Sequence, residues 1–142
     1  MRPLSGRAAG PAAVLAAALA LAGCATPTAA ELPRPGSADA ACAERLHDVC
    51  GALLVFYAVN RRLPATFEEL QAAAPGPLAC PLSGETYVYR PEGLAVEGQS
   101  GRLILFDASA AHNGARWGIV IVEPKGSGPL VAQVVLLRLP GD

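Results

Sequence analysis

Asp107, Ser109 and His112 fall within six consecutive residues, and an acid, a hydroxyl and an imidazole are the three groups of a nucleophilic triad. Such triads converge from separate elements, with the serine held on a strained elbow between strand and helix. The run FDASAAHNGARW contains no such elbow, so it reads as a polar turn joining two strands. Within it Asp107, His112, Asn113, Arg116 and Trp117 make a candidate binding loop. Asn113 and Gly114 can place backbone donors at a tight turn, and Arg and Trp are common at binding hot spots. The competing readings are a hairpin-tip histidine bonded to its own loop and, for Trp117, a core residue at a strand end. His47 and Asp48 are adjacent on a helix, where neighbouring side chains diverge by ~100°, so they form no dyad. Glu68 and Glu69 suit the first turn of a helix better than paired acid and base work. Two histidines, with no HExxH and no CxxC, give no dedicated metal site, and no catalytic residue or cofactor is expected. Cys80 before Pro81 would be redox-active only beside a group that lowers its pKa.

The first 23 residues have the three parts of an export signal. Arg2 and Arg7 form a basic start, an apolar run follows from Ala12 to Ala22, and small residues close it. The run is about 11 residues, against the ~20 needed to span a bilayer. Ala20-Leu21-Ala22 is an A-x-A site that would release a soluble protein, but it leaves Cys24 unexplained. Leu21-Ala22-Gly23-Cys24 resembles the lipobox of bacterial lipoproteins, which implies that Cys24 becomes a lipidated N-terminus. Residues 1–23 are thus expected to be a lipoprotein signal peptide and 24–37 the lipidated cysteine and a flexible tether. Three prolines between Ala25 and Gly36 would let twelve residues at ~3.1 Å each hold a body up to ~35–40 Å from the lipid. Removing the signal takes two of eleven basic residues and none of twelve acidic ones, leaving a net charge near −3. A mildly acidic chain with no basic cluster lacks the footprint of nucleic-acid binding.

With Cys24 lipidated, Cys42, Cys50 and Cys80 remain. An oxidising compartment favours a bridge, and an odd count leaves one thiol over. Cys42 and Cys50 would sit on one helix ~12 Å apart in rise, beyond disulfide reach, so an internal bridge must use Cys80. Closing a loop of ~30–40 residues is worth about 3.5–4 kcal/mol in the chain-entropy model. Chain reach slightly favours Cys50 as the partner.

The elements that must position these residues follow from periodicity. From Asp39 to Arg62, Cys42, Leu46, Val49, Leu53, Phe56 and Tyr57 recur at three- and four-residue spacing, opposite Glu44, Arg45, His47 and Asp48. Ser37 or Asp39 can cap this helix, and Arg61 and Arg62 suit its C-terminal dipole. Leu63-Pro64 ends it. Thr66 can cap a second helix, Phe67 to Ala74, closed by Pro75-Gly76-Pro77. Strands are expected at Tyr87 to Tyr89, Arg102 to Phe106, Arg116 to Val122 and Leu130 to Leu137. Their short connections favour an antiparallel meander. The expected fold is α+β over residues 38–142, one long N-terminal helix packed on a small antiparallel sheet of about four strands. Phe56, Tyr57, Leu105, Ile119, Ile121 and Val135 are the expected shared core.

Read in order, the chain runs C-x3-L-x2-V, F-Y-x2-N-x2-L-P-x-T-x2-E-L, C-P-L-S-G-x2-Y-V-Y, L-I-L-F-D and H-N-G-A-R-W. Over residues 42 to 122 this resembles the globular heads of type IV pilin-like proteins, the pseudopilins. The resemblance implies a helix packed on a small antiparallel sheet, and it implies Cys42 as the partner of Cys80. Members of that family begin with a prepilin cleavage site and a long apolar assembly helix; here a lipobox and a tether stand in their place. The expectation is therefore a non-enzymatic lipoprotein of the cell envelope, facing the periplasm or exterior. It would be anchored through Cys24 and contact a secretion or pilus-type assembly. Ala25 and Thr26 in place of aspartate after the lipid cysteine lean toward the outer membrane. The alternative is a stand-alone binding module for a small ligand or cell-wall component, using the loop from Asp107 to Arg116.

Overall fold

The computed structural model describes residues 37–139. The expected signal peptide, Cys24 with its expected lipid, the expected tether as far as Gly36 and residues 140–142 lie outside the described residues. Two helices precede a four-stranded antiparallel sheet in an α+β arrangement. Among the described residues no helix is long and apolar enough to cross a membrane.

Helix α1 spans Ala38–Asn60, and Ser37 caps it by accepting the Ala40 N–H at 3.1 Å. Its buried stripe of Cys42, Leu46, Val49 and Leu53 follows the expected spacing. The helix ends where Arg61 enters the left-handed region, φ 56°, and donates its N–H to the Tyr57 carbonyl. Arg62 does not serve the helix dipole as expected. Its guanidinium lies 5.3 Å over the Phe56 ring and makes two bonds to Glu69, at 2.8 and 2.6 Å. A two-point partner with fixed geometry outcompetes the diffuse field of a helix end.

Helix α2, Phe67–Ala73, is capped by Thr66, whose hydroxyl accepts the Glu69 N–H at 3.2 Å. Glu69 reaches back to accept the Ala65 N–H at 2.6 Å, a variant of the capping box shifted by one residue. Leu70 is buried beneath it.

The sheet runs β1 (Val88–Ala95), β2 (Arg102–Phe106), β3 (Arg116–Val122) and β4 (Val131–Leu137), in that spatial order. Every pairing is antiparallel. β1 runs further than the expected Tyr87 to Tyr89, and it does so through Pro91. An edge strand with a bulge tolerates proline, and the register shifts between Tyr89 and Leu94. Arg102 fills that bulge by donating to the Pro91 and Glu92 carbonyls at 2.8 and 2.6 Å.

A second bulge falls in β2. Leu103 pairs with Val120 and Leu105 with Ile119, leaving Ile104 as the extra residue. Ile104 and Leu105 therefore both join the core beneath α1, while Leu103 and Phe106 join a second apolar cluster. The main core gathers the α1 stripe, Leu70, Leu78, Ile119 and Ile121. Of the expected core, Leu105, Ile119 and Ile121 are fully buried and Tyr57 packs at the edge. Val135 instead belongs to the second cluster, with Val120 and Leu137. Strand alternation decides this, because Val134 pairs with core-facing Ile119 and its neighbour Val135 must face the other way. Phe56 lies beneath Arg62 at the rim, outside the main core.

Candidate functional site

At one end of α1 four chain segments converge on a buried polar cluster. Asp39 and Cys42 lie three residues apart, on one face of the helix's first turns. Cys80 comes from the loop after α2, Asp107 from the end of β2, and His112 from the β2–β3 connection.

Backbone geometry sets each side chain. Arg45 of α1 grips the Cys80 loop, donating to the Pro77 carbonyl through Nε at 2.9 Å and to Pro75 at 2.5 Å. Cys80 then closes a tight loop, donating its N–H to Glu85 and accepting that of Gly84. On the opposite side, His112 and Ala115 exchange N–H to carbonyl bonds at 3.1 and 3.0 Å around Asn113 and Gly114. Both central residues have positive φ, 54° and 76°, the geometry for which Asn-Gly is suited. That turn sends the His112 ring inward. Asp107 is held from both sides of β3's first residues. Its carboxylate Oδ2 accepts the Trp117 N–H at 2.7 Å, and its carbonyl accepts Arg116 at 3.0 Å.

The resulting distances are short. Cys42 Sγ and Cys80 Sγ are 3.5 Å apart, and Cys80 Sγ is 3.5 Å from His112 Nε2. His112 Nε2 lies 3.2 Å from Asp107 Oδ2, and its other nitrogen, Nδ1, lies 2.5 Å from Asp39 Oδ1. Cys42, Cys80, Asp107 and His112 are 0, 1, 1 and 3% exposed. Burial, reinforced by the contact with Cys80, pushes the Cys42 thiol up to about 12. Burial likewise raises Asp107, against the opposing pull of the Trp117 N–H, the Cys80 thiol, His112 and Arg116. Asp107 Oδ1, Tyr87 Oη and Trp117 Nε1 are buried without a hydrogen-bond partner.

In the run read as a binding loop, Asp107, His112 and Trp117 are buried. Of the five candidate residues Asn113 is the exposed one, and Arg116 holds the Asp107 and Ala108 carbonyls. Ser109 donates to the Glu85 carboxylate and takes no part with His112 in a triad. His47 bonds the Ala43 carbonyl at 2.8 Å on the exposed side of α1. Cys42, which the pilin-like resemblance pairs with Cys80, stands beside it, whereas Cys50 is buried two turns further along the helix.

The expectation of no metal site rested on spacing within short motifs, and the fold joins ligand-type atoms from three separate segments. Asp39, weighed only as a helix cap, was the residue least visible beforehand. Its place three residues before Cys42 was the available signal. Cys80, His112 and Asp39 form a thiol–imidazole–carboxylate line, but a nucleophile must meet its substrate, and this thiol is sealed with a second thiol against it.

The solvent side of α1 carries a different feature. Val55 and Val59, 66 and 76% exposed, border an apolar groove of about 490 Å³ completed by Ala52, Phe56, Ala73 and Pro75.

In comparisons with protein-family models, curated proteins and solved structures, nothing matches this chain.

Proposed function

We propose that this chain is a non-enzymatic lipoprotein of the cell envelope, anchored through Cys24. Its α+β body would act as a pseudopilin-like accessory head that contacts a secretion or pilus-type assembly. The observation that carries the reading is the meeting of Cys42 and Cys80 at 3.5 Å between the start of α1 and the C-P-L-S-G loop. That is the juxtaposition the pilin-like resemblance implies, on a helix packed over an antiparallel meander. The Leu21-Ala22-Gly23-Cys24 pattern supports the anchor. The exposed apolar edge at Val55 and Val59 supports a contact face beside α2. A stand-alone ligand module built on Asp107 to Arg116 fits less well, because Asp107 and His112 are turned away from solvent.

The test has two arms. Intact-mass analysis of the exported chain should show a lipid-modified Cys24 as its first residue, and Cys24→Ser should move the protein out of the membrane fraction. Crosslinking in the native envelope should recover assembly components with the wild type and lose them with Val59→Glu. An unmodified N-terminus would remove the anchor, and identical recovery with Val59→Glu would remove the contact face.

A further inference from the structure

We propose that Cys42, Cys80 and His112 bind a zinc ion, with Asp107 as the nearest carboxylate, and so clip the start of α1 to the sheet. The ligand atoms of Cys42, Cys80 and His112 lie within 4.8 Å of one another, and Asp107 Oδ2 lies 3.2 Å from His112 Nε2. Zinc at ~2.3 Å from sulfur and ~2.0–2.1 Å from nitrogen or oxygen sets tetrahedral edges of ~3.8 Å for S to S, ~3.6 Å for S to N and ~3.3 Å for N to O. The corresponding separations here are 3.5, 3.5 and 3.2 Å.

Two further observations point the same way. Asp107 is 1% exposed, yet its Oδ1 has no hydrogen-bond partner, which is costly for a carboxylate in the interior. A cation beside it removes that cost. His112 presents Nε2 to the cluster while Nδ1 bonds Asp39 Oδ1 at 2.5 Å. A carboxylate on the far nitrogen is the outer partner that a zinc-bound histidine ordinarily has, fixing its tautomer and orientation. Asp39 is thus a positioning residue. Two thiolates with one imidazole select zinc over magnesium or calcium. Binding releases the two thiol protons.

The site joins α1, the Cys80 loop and the β2–β3 connection, segments separated by 38 and 32 residues of sequence. A metal clip between such distant segments contributes directly to folding.

The full-length chain should be purified without oxidant, from whichever fraction holds it, and assayed for metal. About one zinc per chain is expected, and exchange with cobalt should give the thiolate charge-transfer band and intense visible absorption of a tetrahedral ion. Cys42→Ser and His112→Ala should lower the zinc content to below about a tenth of wild type, while Cys50→Ser keeps it. Asp39→Asn should weaken affinity about 10–100-fold but still fill at excess zinc. Should the cluster variants fail to fold, the wild-type stoichiometry and cobalt spectrum decide alone. A Cys42–Cys80 disulfide peptide in the isolated protein would overturn the proposal. So would wild type that takes up neither zinc nor cobalt, or zinc retained by folded His112→Ala.

Discussion

His112 Nδ1 and Asp39 Oδ1 stand 2.5 Å apart across 73 residues of chain. The contact ties the first turn of α1 to the far end of the β2–β3 connection. His112 is almost wholly buried, whereas the Asp39 side chain is 40% exposed, so the pair closes the polar cluster against solvent.

Removing that lid should be felt. Asp39→Ala leaves a buried imidazole N–H without its acceptor and should cost about 1–2 kcal/mol. Asp48→Ala, on the exposed side of the same helix, should change stability by less than about 0.5 kcal/mol. Denaturant unfolding of both variants compares them, and equal midpoints would contradict the role given to Asp39.

Gly118 sits opposite Phe106 in the β2–β3 ladder, and a Cβ there would lie 2.7 Å from Leu103 Cδ1 and 2.8 Å from the Leu105 carbonyl. Gly118→Ala should destabilise by about 1–3 kcal/mol, because a carbonyl in a ladder cannot step aside. Gly51→Ala, which meets nothing within 4 Å, should be neutral or slightly stabilising. Thermal unfolding should order the two variants accordingly.

The Arg62 guanidinium and the Ala65 N–H hold Glu69 well below its ordinary 4.5, at about 2. A depressed carboxylate contributes stability above its unfolded pKa, and this is lost as pH falls from 4.5 toward 2. Glu69→Gln should therefore flatten the fall in melting temperature across that window while lowering it near neutrality. An unchanged acid profile would show that the pair is fully screened.

Burial pushes the Cys50 thiol up to about 11, and no charged neighbour counters it. In native protein at pH 8 alkylation of Cys50 should be at least ~10-fold slower than in denatured protein, since only the thiolate reacts. Quantitative mass mapping after timed alkylation measures this ratio. Equal rates would mean that the helix opens readily around Val49 and Leu53.

The elements were legible one at a time. Ser37 and Thr66 named the caps, the spacing of Cys42, Leu46, Val49 and Leu53 named the buried stripe, and β2 and β3 fell within their expected bounds. These signals are local, set by hydrogen bonding and side-chain period within a few residues. What is not legible is where the register shifts and which face of β4 meets the helix. Val135 was placed in the wrong layer because strand alternation gives two faces without saying which one meets the helix. The bulge at Ile104, which puts two successive residues beneath α1, leaves no mark in composition.

The same division governs the cluster. By sequence alone the chain specified its helix-then-sheet order and the chemical character of its thiols, acids and histidines. Only the tertiary structure decided that Asp39, Cys42, Cys80, Asp107 and His112 share one buried site. The separations that matter there run through space between segments 32 to 73 residues apart, and packing against a common core sets them.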